Sequence, residues 1–287
     1  MTRPSTCLGG YNRPMDSIHL DVAIRAARAG GAELMKRRDD HSVYEKAPKD
    51  LVTDADLASQ TVIRKILSDA FENYAFVGEE RGQTEPPDAV RQGRSDAPPC
   101  WVVDPLDGTI NFVHRLQSFA VSIGLHHRGR MVLGVVFDPV MNEMFTAIDG
   151  GIARCNNRAI RASGCETIDE ALLACSFPAG VKGTDVEVER FIRVLEQSRS
   201  LRRLGSCALN LCYVAAGRLD GYWTTNVGSW DAAAGAVIAR CAGATMTAYD
   251  GGVMDPWHPA FCTCGSEPLH QTLVGLLTGR LKHSPSS

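Results

Sequence analysis

Acidic side chains stand at the ends of apolar segments in four places along this chain. They are Asp54 and Asp56, Glu79 and Glu80, Asp104 and Asp107, and Asp231. Carboxylates brought to one point repel each other, so a cluster of them makes little structural sense without a cation. Carboxylate oxygens are ligands for Mg²⁺, an ion that keeps positions open for water and substrate phosphate. The pattern therefore predicts a magnesium site that handles a phosphate group.

The segment from Asp104 to Thr109 is the centre of this prediction. Pro105 favours an extended conformation at Asp104, so the end of a short apolar strand presents that carboxylate with little freedom. Asp107 reaches the same point from the following turn. Gly108 permits close approach of the backbone, and Thr109 suits the start of a helix, whose free N–H groups can hold phosphate oxygens. Alone, the two aspartates could equally be turn and cap residues, and the other acidic pairs weigh against that interpretation.

A mixed set of helices and strands has to position these side chains. In the first half, the spacing of apolar residues predicts helices over 18–38 and 55–70, and strands over 101–103, 119–126, 131–138 and 143–147. The second half alternates strands at 172–176, 201–203 and 245–248 with helices at 186–197, 208–216, 232–242 and 268–278. Residues 82–99 hold four prolines without periodicity, which predicts a surface loop. This alternation predicts layered α and β structure.

The chain is expected to have three parts. Residues 1–16 are polar and lack an apolar core of signal-peptide length, so they are expected to form a flexible N-terminal tail. The turn Asp149-Gly-Gly151 divides an N-terminal α+β half, 17–150, from a C-terminal α/β half, 151–287. The first half would hold an antiparallel sheet and most metal ligands, and the second the substrate wall and Asp231. No segment approaches the length of a membrane-spanning helix, so we expect a cytoplasmic protein without a membrane partner.

Composition narrows the class of protein further. The 287 residues carry a net charge of -3, with 44% hydrophobic and 22% charged residues, which is ordinary for a globular protein. No basic block indicates direct binding of nucleic acid. The ten cysteines are scattered except for Cys262 and Cys264, so free thiols in a reducing cytosol are expected. His126 and His127 precede a turn and are expected on the solvated surface.

Five motifs, in order, resemble the inositol monophosphatase family. They are KDLVTDAD (49–56), GEE (78–80), WVVDPLDGTINFVH (101–114), GSCALNLCYVAAGRLDGYW (205–223) and WDAAAG (230–235). Together they span nearly the whole chain beyond the tail, and five ordered motifs are far more specific than one. The resemblance implies an α+β / α/β fold, a layered αβαβα sandwich. It also implies a magnesium-dependent phosphomonoesterase, sensitive to lithium and active as a homodimer.

The resemblance implies a ligand set for two to three Mg²⁺ ions. A first ion would be held by Glu79, Asp104 and the main-chain carbonyl of Leu106. A second would be held by Asp104, Asp107 and Asp231, so that Asp104 bridges the two. Glu79 would help to hold a third ion through water. Every matched side-chain position carries an oxygen donor of the required kind.

The same resemblance implies the catalytic and substrate-binding residues. Thr109 and Asp56 would orient and deprotonate a metal-activated water that attacks phosphorus directly, without a phospho-enzyme. The substrate would be bound by Asp107, Gly108, Thr109, Cys207 and Thr224. Many inositol phosphatases have a glutamate at the position of Thr224, where it accepts hydrogen bonds from sugar hydroxyls. Loss of such a bond costs about 1.5–3 kcal/mol, so the substrate stays open.

The partner expected of this site is a small phosphorylated polyol or sugar, with myo-inositol monophosphate as the first candidate. Histidinol phosphate and fructose 1,6-bisphosphate are alternatives within the family. 3′-Phosphoadenosine 5′-phosphate is less favoured, because the motif at 230–235 resembles the inositol type more closely. An alternative of another class is a regulatory binding protein of the transcription machinery, a role that some bacterial relatives have. The intact acidic motifs weigh against a purely non-catalytic role.

Overall fold

A computed structural model describes residues 17–47, 50–80, 84–178 and 180–281, so the tail predicted at 1–16 lies outside the described residues. The helices are α1 (Ser17–Arg37), α2 (Asp54–Ala70), α3 (Asp88–Arg91), α4 (Thr109–Val113), α5 (Val186–Leu195), α6 (Cys207–Ala215), α7 (Ser229–Cys241) and α8 (Glu267–Thr278). The strands are β1 (Val43–Ala47), β2 (Asp50–Thr53), β3 (Ala75–Gly78), β4 (Cys100–Asp107), β5 (Ala120–His127), β6 (Arg130–Asp138), β7 (Glu143–Ile148), β8 (Arg154–Cys155), β9 (Arg158–Ala159), β10 (Leu172–Ser176), β11 (Ser200–Arg202), β12 (Gly221–Thr224), β13 (Thr245–Ala248) and β14 (Phe261–Cys264).

The larger sheet has seven strands in the order β3-β4-β5-β6-β7-β8-β9. Strands β3 and β4 are parallel, and the other neighbours are antiparallel. The sheet is covered on both faces, because alternate residues of β4 enter different cores. Trp101 and Val103 pack into the core that contains α1 and α2. Cys100 and Val102 pack into the core that contains α6 and α7.

The smaller sheet has five strands in the order β11-β10-β12-β14-β13. Strand β10 is parallel to both of its neighbours, whereas β14 is antiparallel to β12 and β13. One face, with Leu173 and Trp223, packs with α5 and α8. The other face, with Ala174 and Tyr222, packs with α6 and α7. Helices α6 and α7 therefore lie between the two sheets, and the predicted αβαβα sandwich is confirmed.

Several helix ends follow from local sequence. Helix α2 starts with a capping box, in which the side chains of Thr53 and Asp56 each accept a hydrogen bond from the other's backbone N–H. Helix α8 starts at a Ser266 cap, has Pro268 in its first turn, and ends at Gly279 with φ of 72°. No helix in the described ranges is both long and apolar enough to cross a membrane.

The observed helices and strands differ from the predicted ones mainly where contacts between distant segments determine the local structure. The loop predicted at 82–99 contains the one-turn helix α3, which starts after Pro87. Strand β4 does not end at 103 but continues to Asp107, with an irregular register against β5 between Asp104 and Asp107. The β1–β2 hairpin and strands β12 and β14 were not predicted. Strands β8 and β9 extend the larger sheet beyond the turn at 149–151, and the division of the chain at 150 stays a prediction.

The prediction of a solvated His126 is wrong. Its side chain is 1% exposed and packs against Trp257, with 4.9 Å between the ring centroids. Burial disfavours the charged imidazolium and lowers the pKa of His126 to about 4. The prediction failed because the covering residue comes from a loop late in the chain. The prediction of free thiols is confirmed for every cysteine in the described residues.

Candidate active site

Two adjacent parallel strands bring the first two acidic residues together. Gly78 at the end of β3 pairs with Val103 of β4, and the N–H of Glu79 donates to the Val103 carbonyl at 3.2 Å. Glu79 and Asp104 therefore leave neighbouring strands at the same edge of the sheet. The two carboxylates are close because each acidic residue directly follows an apolar strand segment, as the sequence predicted.

Helix α7 supplies the third carboxylate, that of Asp231. Its small residues let it lie close to the sheet, and a Cβ added at Gly134 would be 2.2 Å from the Ala234 carbonyl oxygen. The hydroxyl of Ser122 donates to the Trp230 carbonyl at 3.1 Å and ties the helix start to β5. Asp231 was predicted directly before the helix, whereas it lies in the first turn and accepts from the Gly228 N–H at 2.6 Å.

Glu79, Asp104 and Asp231 converge on one point. Each offers a carboxylate oxygen, and these three oxygens lie within 4.8 Å of one another. Asp104 Oδ2 is buried and has no hydrogen-bond partner among the described residues. Burial, followed by repulsion from Glu79 and Asp231, raises the pKa of Asp104 well above its usual value. An oxygen-only donor set with an unpartnered buried carboxylate oxygen fits a hard divalent cation such as Mg²⁺.

Asp107 lies beside this cluster but has partners of its own. Its carboxylate accepts from the Ser206 hydroxyl at 2.5 Å, the Ala208 N–H at 2.7 Å and the Cys207 N–H at 3.2 Å. These are the first residues of α6, so Asp107 caps that helix across the interface between the sheet and the helix layer. Burial outweighs these hydrogen bonds and raises the pKa of Asp107 to about 6. Its role as a metal ligand stays a prediction.

A hydroxyl and a buried carboxylate adjoin the acidic cluster. Thr109 Oγ1 lies 3.3 Å from Asp56 Oδ1 and 3.1 Å from the main-chain oxygen of Leu106. The other oxygen of Asp56 accepts from the Thr53 N–H at 2.8 Å and from the Thr53 hydroxyl at 2.5 Å, which fixes the carboxylate in place. Burial raises the pKa of Asp56 to about 6 despite these hydrogen bonds. Asp56 is therefore a weaker acid than a solvated aspartate, and its ionised form can accept a proton.

A cavity of about 490 Å³ opens beside these groups. It is lined by Leu51, Gly108, Thr109, Ile110, Asn111, Ser176, Phe177, Arg203, Gly205 and Asp231. Gly108 has a φ of 101°, a value that suits glycine, and a Cβ there would be 2.9 Å from the Ser118 carbonyl oxygen.

Cys207 and Thr224, two predicted substrate residues, are not among the described residues that line this cavity. Thr224 is fully buried and its Oγ1 has no hydrogen-bond partner within the described ranges. The thiol of Cys207 is buried as well. A substrate contact by either residue stays a prediction.

Lys46 is a site residue that the sequence analysis missed. Its ammonium group donates to Glu79 Oε1 at 2.9 Å and to the carboxylate of Glu80. Burial alone would lower the pKa of Lys46, but the ion pairs with Glu79 and Glu80 outweigh it and raise the pKa. Burial, with help from Glu79, raises the pKa of Glu80 to about 7. Lys46 lies on the β1–β2 hairpin, which the sequence analysis did not predict. The proximity of Lys46 to Glu79 and Glu80 could therefore not be inferred from sequence.

Comparison with known proteins agrees with this geometry. The model of the inositol monophosphatase family matches residues 16–278. Nus factor SuhB of Pasteurella multocida (strain Pm70) is 39% identical over 239 residues, 81% of this chain and 86% of the relative. An inositol-1-monophosphatase of Mesorhizobium japonicum is 37% identical over 259 residues, 89% of this chain and 94% of the relative. The solved structure of extragenic suppressor protein suhB from Bartonella henselae has a TM-score of 0.84 at 33% identity, and the match covers 92% of this chain and 100% of that one. The chain therefore belongs to the inositol monophosphatase family.

Proposed function

We propose that this protein is a Mg²⁺-dependent phosphomonoesterase that hydrolyses a small polyol or sugar phosphate by direct attack of water. The observation that carries the proposal is the convergence of Glu79, Asp104 and Asp231 within 4.8 Å. The hydroxyl–carboxylate pair of Thr109 and Asp56 adjoins this cluster. Thr109 and Asp231 also line one cavity, so the two sets of groups face a common space. We further propose that the enzyme is cytoplasmic and works as a homodimer with two to three Mg²⁺ ions.

The carboxylate cluster would hold the cations, with the Leu106 carbonyl and Asp107 as further ligands. When bound, Mg²⁺ lowers the pKa of water and neutralises charge on a transferring phosphoryl group. Thr109 orients the attacking water through its hydroxyl oxygen. The Thr109 hydroxyl has two acceptors, Asp56 Oδ1 at 3.3 Å and the Leu106 carbonyl oxygen at 3.1 Å. When it donates to Asp56, its oxygen can take the proton that the water loses while its own proton passes to Asp56.

Phosphate release from a panel of monoesters tests this proposal. The panel contains myo-inositol 1-phosphate, histidinol phosphate and fructose 1,6-bisphosphate, each with and without Mg²⁺. We expect Mg²⁺-dependent turnover of at least one member, and near-complete loss of that turnover in Asp104→Asn. Asp88→Asn is the matched control, because it removes a carboxylate that is 81% exposed on α3. Substantial Mg²⁺-dependent turnover in Asp104→Asn would contradict the proposal.

A second candidate function is a regulatory binding role in the transcription machinery. The observation that favours it is the similarity to relatives named Nus factor SuhB, at 37–39% identity. An intact acidic cluster with an adjoining proton acceptor supports catalysis over a purely non-catalytic role. A folded, purified protein that is inert toward the whole panel in the presence of Mg²⁺ would favour the binding role.

A further inference from the structure

The guanidinium of Arg203 lies on the wall of the active-site cavity without a carboxylate to neutralise it. Arg203 belongs to the segment between β11 and α6, and its side chain lines the same cavity as Thr109 and Asp231. Within the described ranges, the Arg203 guanidinium makes no hydrogen bond and no ion pair. Among the described residues that line the cavity, Asp231 is the one acid, and it belongs to the metal-binding cluster. Arg203 is thus a cation that faces the space available to a substrate.

An aromatic ring holds Arg203 in place. Arg203 Cζ lies 5.1 Å from the centroid of the Phe177 ring. Phe177 is itself held by an edge-to-face contact with Phe191 of α5, at 5.5 Å between centroids. A guanidinium that packs on a ring uses its face for the contact. Its N–H groups lie in the guanidinium plane and stay free for an acceptor, and they match the two oxygens of a carboxylate or phosphate.

Apart from Arg203 and Asp231, the described residues that line this cavity are uncharged. Leu51, Ile110 and Phe177 contribute apolar surface to the cavity. Asn111 and Ser176 contribute polar groups, and the Ser176 hydroxyl accepts a hydrogen bond from the Tyr222 hydroxyl at 2.9 Å while its own proton stays available to donate. Thr224 is buried away from solvent and carries no charge. The described wall therefore combines apolar and neutral polar groups with one unpaired cation, and that cation is the feature that favours an anionic group on the substrate.

We propose that Arg203 binds a second anionic group of the substrate, a phosphate or a carboxylate, while the acidic cluster binds the phosphate that is hydrolysed. This inference rests on the proposed function and narrows its substrate class to phosphomonoesters with two anionic groups. It ranks fructose 1,6-bisphosphate above myo-inositol 1-phosphate. Histidinol phosphate ranks last, because its ammonium group would be repelled by Arg203.

Two substrate pairs test the inference with phosphate and with carboxylate as the second anion. The first pair is fructose 1,6-bisphosphate and fructose 1-phosphate, and the second is 3-phosphoglycerate and glycerol 3-phosphate. The readout is the ratio of kcat/KM within each pair, which does not depend on the amount of active enzyme. We expect the wild type to prefer the doubly anionic member by about tenfold or more, as for a hydrogen-bonded charge pair.

The variant Arg203→Gln is expected to reduce this ratio to near one, mainly through a higher KM for the doubly anionic substrate. Arg202→Gln is the matched control, because its guanidinium donates to Ser200 Oγ and the Leu201 carbonyl and does not line the cavity. It should keep the wild-type ratio. A preference in one pair alone would support the inference and identify the anion.

A wild-type ratio near one in both pairs, or a preference that survives in Arg203→Gln, would overturn the inference while the proposed function stands. Absence of Mg²⁺-dependent turnover with all four substrates, while myo-inositol 1-phosphate is hydrolysed, would overturn the inference alone. Absence of turnover with these four and with the whole earlier panel would overturn both.

Discussion

Thr109 Oγ1 lies 3.3 Å from Asp56 Oδ1, although the two residues belong to different helices and are far apart in the chain. The capping box at the start of α2 holds Asp56, because Asp56 Oδ2 accepts two hydrogen bonds from Thr53. One carboxylate oxygen is thus committed to the helix start, and the other is left for the Thr109 hydroxyl. The Asp56 side chain thus both caps α2 and accepts a hydrogen bond from Thr109.

Removal of the Thr109 hydroxyl should lower turnover without unfolding the protein. Proton transfer by a positioned group contributes about 10²–10⁴-fold to a rate, so Thr109→Ala is expected to lower kcat by about that factor at saturating Mg²⁺. Thr109→Ser keeps the hydroxyl and should recover most of the activity. Thr61→Ala is the control, since its hydroxyl donates to the Leu57 carbonyl on the exposed side of α2. A Thr109→Ala enzyme with wild-type kcat would exclude the relay.

The ammonium group of Lys46 should weaken cation binding at Glu79. Removing it in Lys46→Gln leaves the carboxylates with more uncompensated charge, and a Coulomb interaction of about 1 kcal/mol corresponds to about fivefold in affinity. We therefore expect the Mg²⁺ concentration at half-maximal activity to fall by about that factor. Lys65→Gln is the control, because Lys65 pairs with Asp69 on the exposed face of α2. A rise in the Mg²⁺ requirement of Lys46→Gln would show that Lys46 assists the site instead.

The cluster should make the stability of the metal-free protein depend on pH. Burial raises the pKa of Asp56 and Asp107 to about 6 and that of Asp104 well above its usual value. Unfolded carboxyl groups lose their protons near pH 4, so between about pH 4 and 6 the folded state binds more protons. These groups therefore lower the free energy of unfolding as pH rises through that window.

His126 raises the free energy of unfolding as pH rises, because its pKa is lowered to about 4 in the folded state and the unfolded state therefore binds more protons there. The informative quantity is thus the difference between the wild type and Asp104→Asn, measured as melting temperature with a chelator from pH 5 to pH 7.5. We expect Asp104→Asn to gain stability relative to the wild type as pH rises. Added Mg²⁺ should stabilise the wild type more at pH 7.5 than at pH 5. A difference that stays constant over this range would contradict the repulsion argument.

The close approach of α7 to the sheet should not tolerate a larger residue. A Cβ at Gly134 would be 2.2 Å from the Ala234 carbonyl oxygen, which is backbone and cannot rotate away. We expect Gly134→Ala to lower the free energy of unfolding by about 1–3 kcal/mol and to weaken Mg²⁺ binding, since α7 carries Asp231. Urea denaturation with and without Mg²⁺ measures both. Gly164→Ala is the control, because a Cβ there meets nothing within 4 Å. Equal stability of the two variants would argue against tight packing of α7.

Local sequence predicted those parts of the site that local structure creates. Glu79 and Asp104 each follow an apolar strand, and parallel pairing of β3 with β4 makes them neighbours. Asp56 lies at a helix start that the Thr53 and Asp56 capping box indicates, whereas the N-cap of α4 is Gly108 and no side chain caps that helix. The five ordered motifs also identified the family, which the match over residues 16–278 confirms.

Contacts between segments that are distant in the chain could not be predicted from the sequence. The N–H groups that hold Asp107 belong to α6, about a hundred residues later. Lys46 reaches Glu79 from a hairpin whose strand β1 is exposed and has no buried apolar face to reveal it. Arg203 belongs to the basic segment Arg199–Arg203, whose sequence fits a solvated edge better than a dimer surface or an anionic-substrate surface. The fold shows that Arg203 lines the cavity.

The central claim is that Glu79, Asp104 and Asp231 together bind a divalent cation. A crystal structure with Mn²⁺, located by its anomalous scattering as a substitute for Mg²⁺, tests it most directly. We expect at least one ion at this cluster, with Asp104 as a ligand and with Glu79 and Asp231 each coordinating an ion that Asp104 also coordinates, at about 2.0–2.1 Å for Mg²⁺. We further expect that Asp104→Asn loses this ion under the same conditions. A crystal structure at saturating Mn²⁺ with no ion among these three carboxylates would contradict the assignment of Glu79, Asp104 and Asp231 as metal ligands.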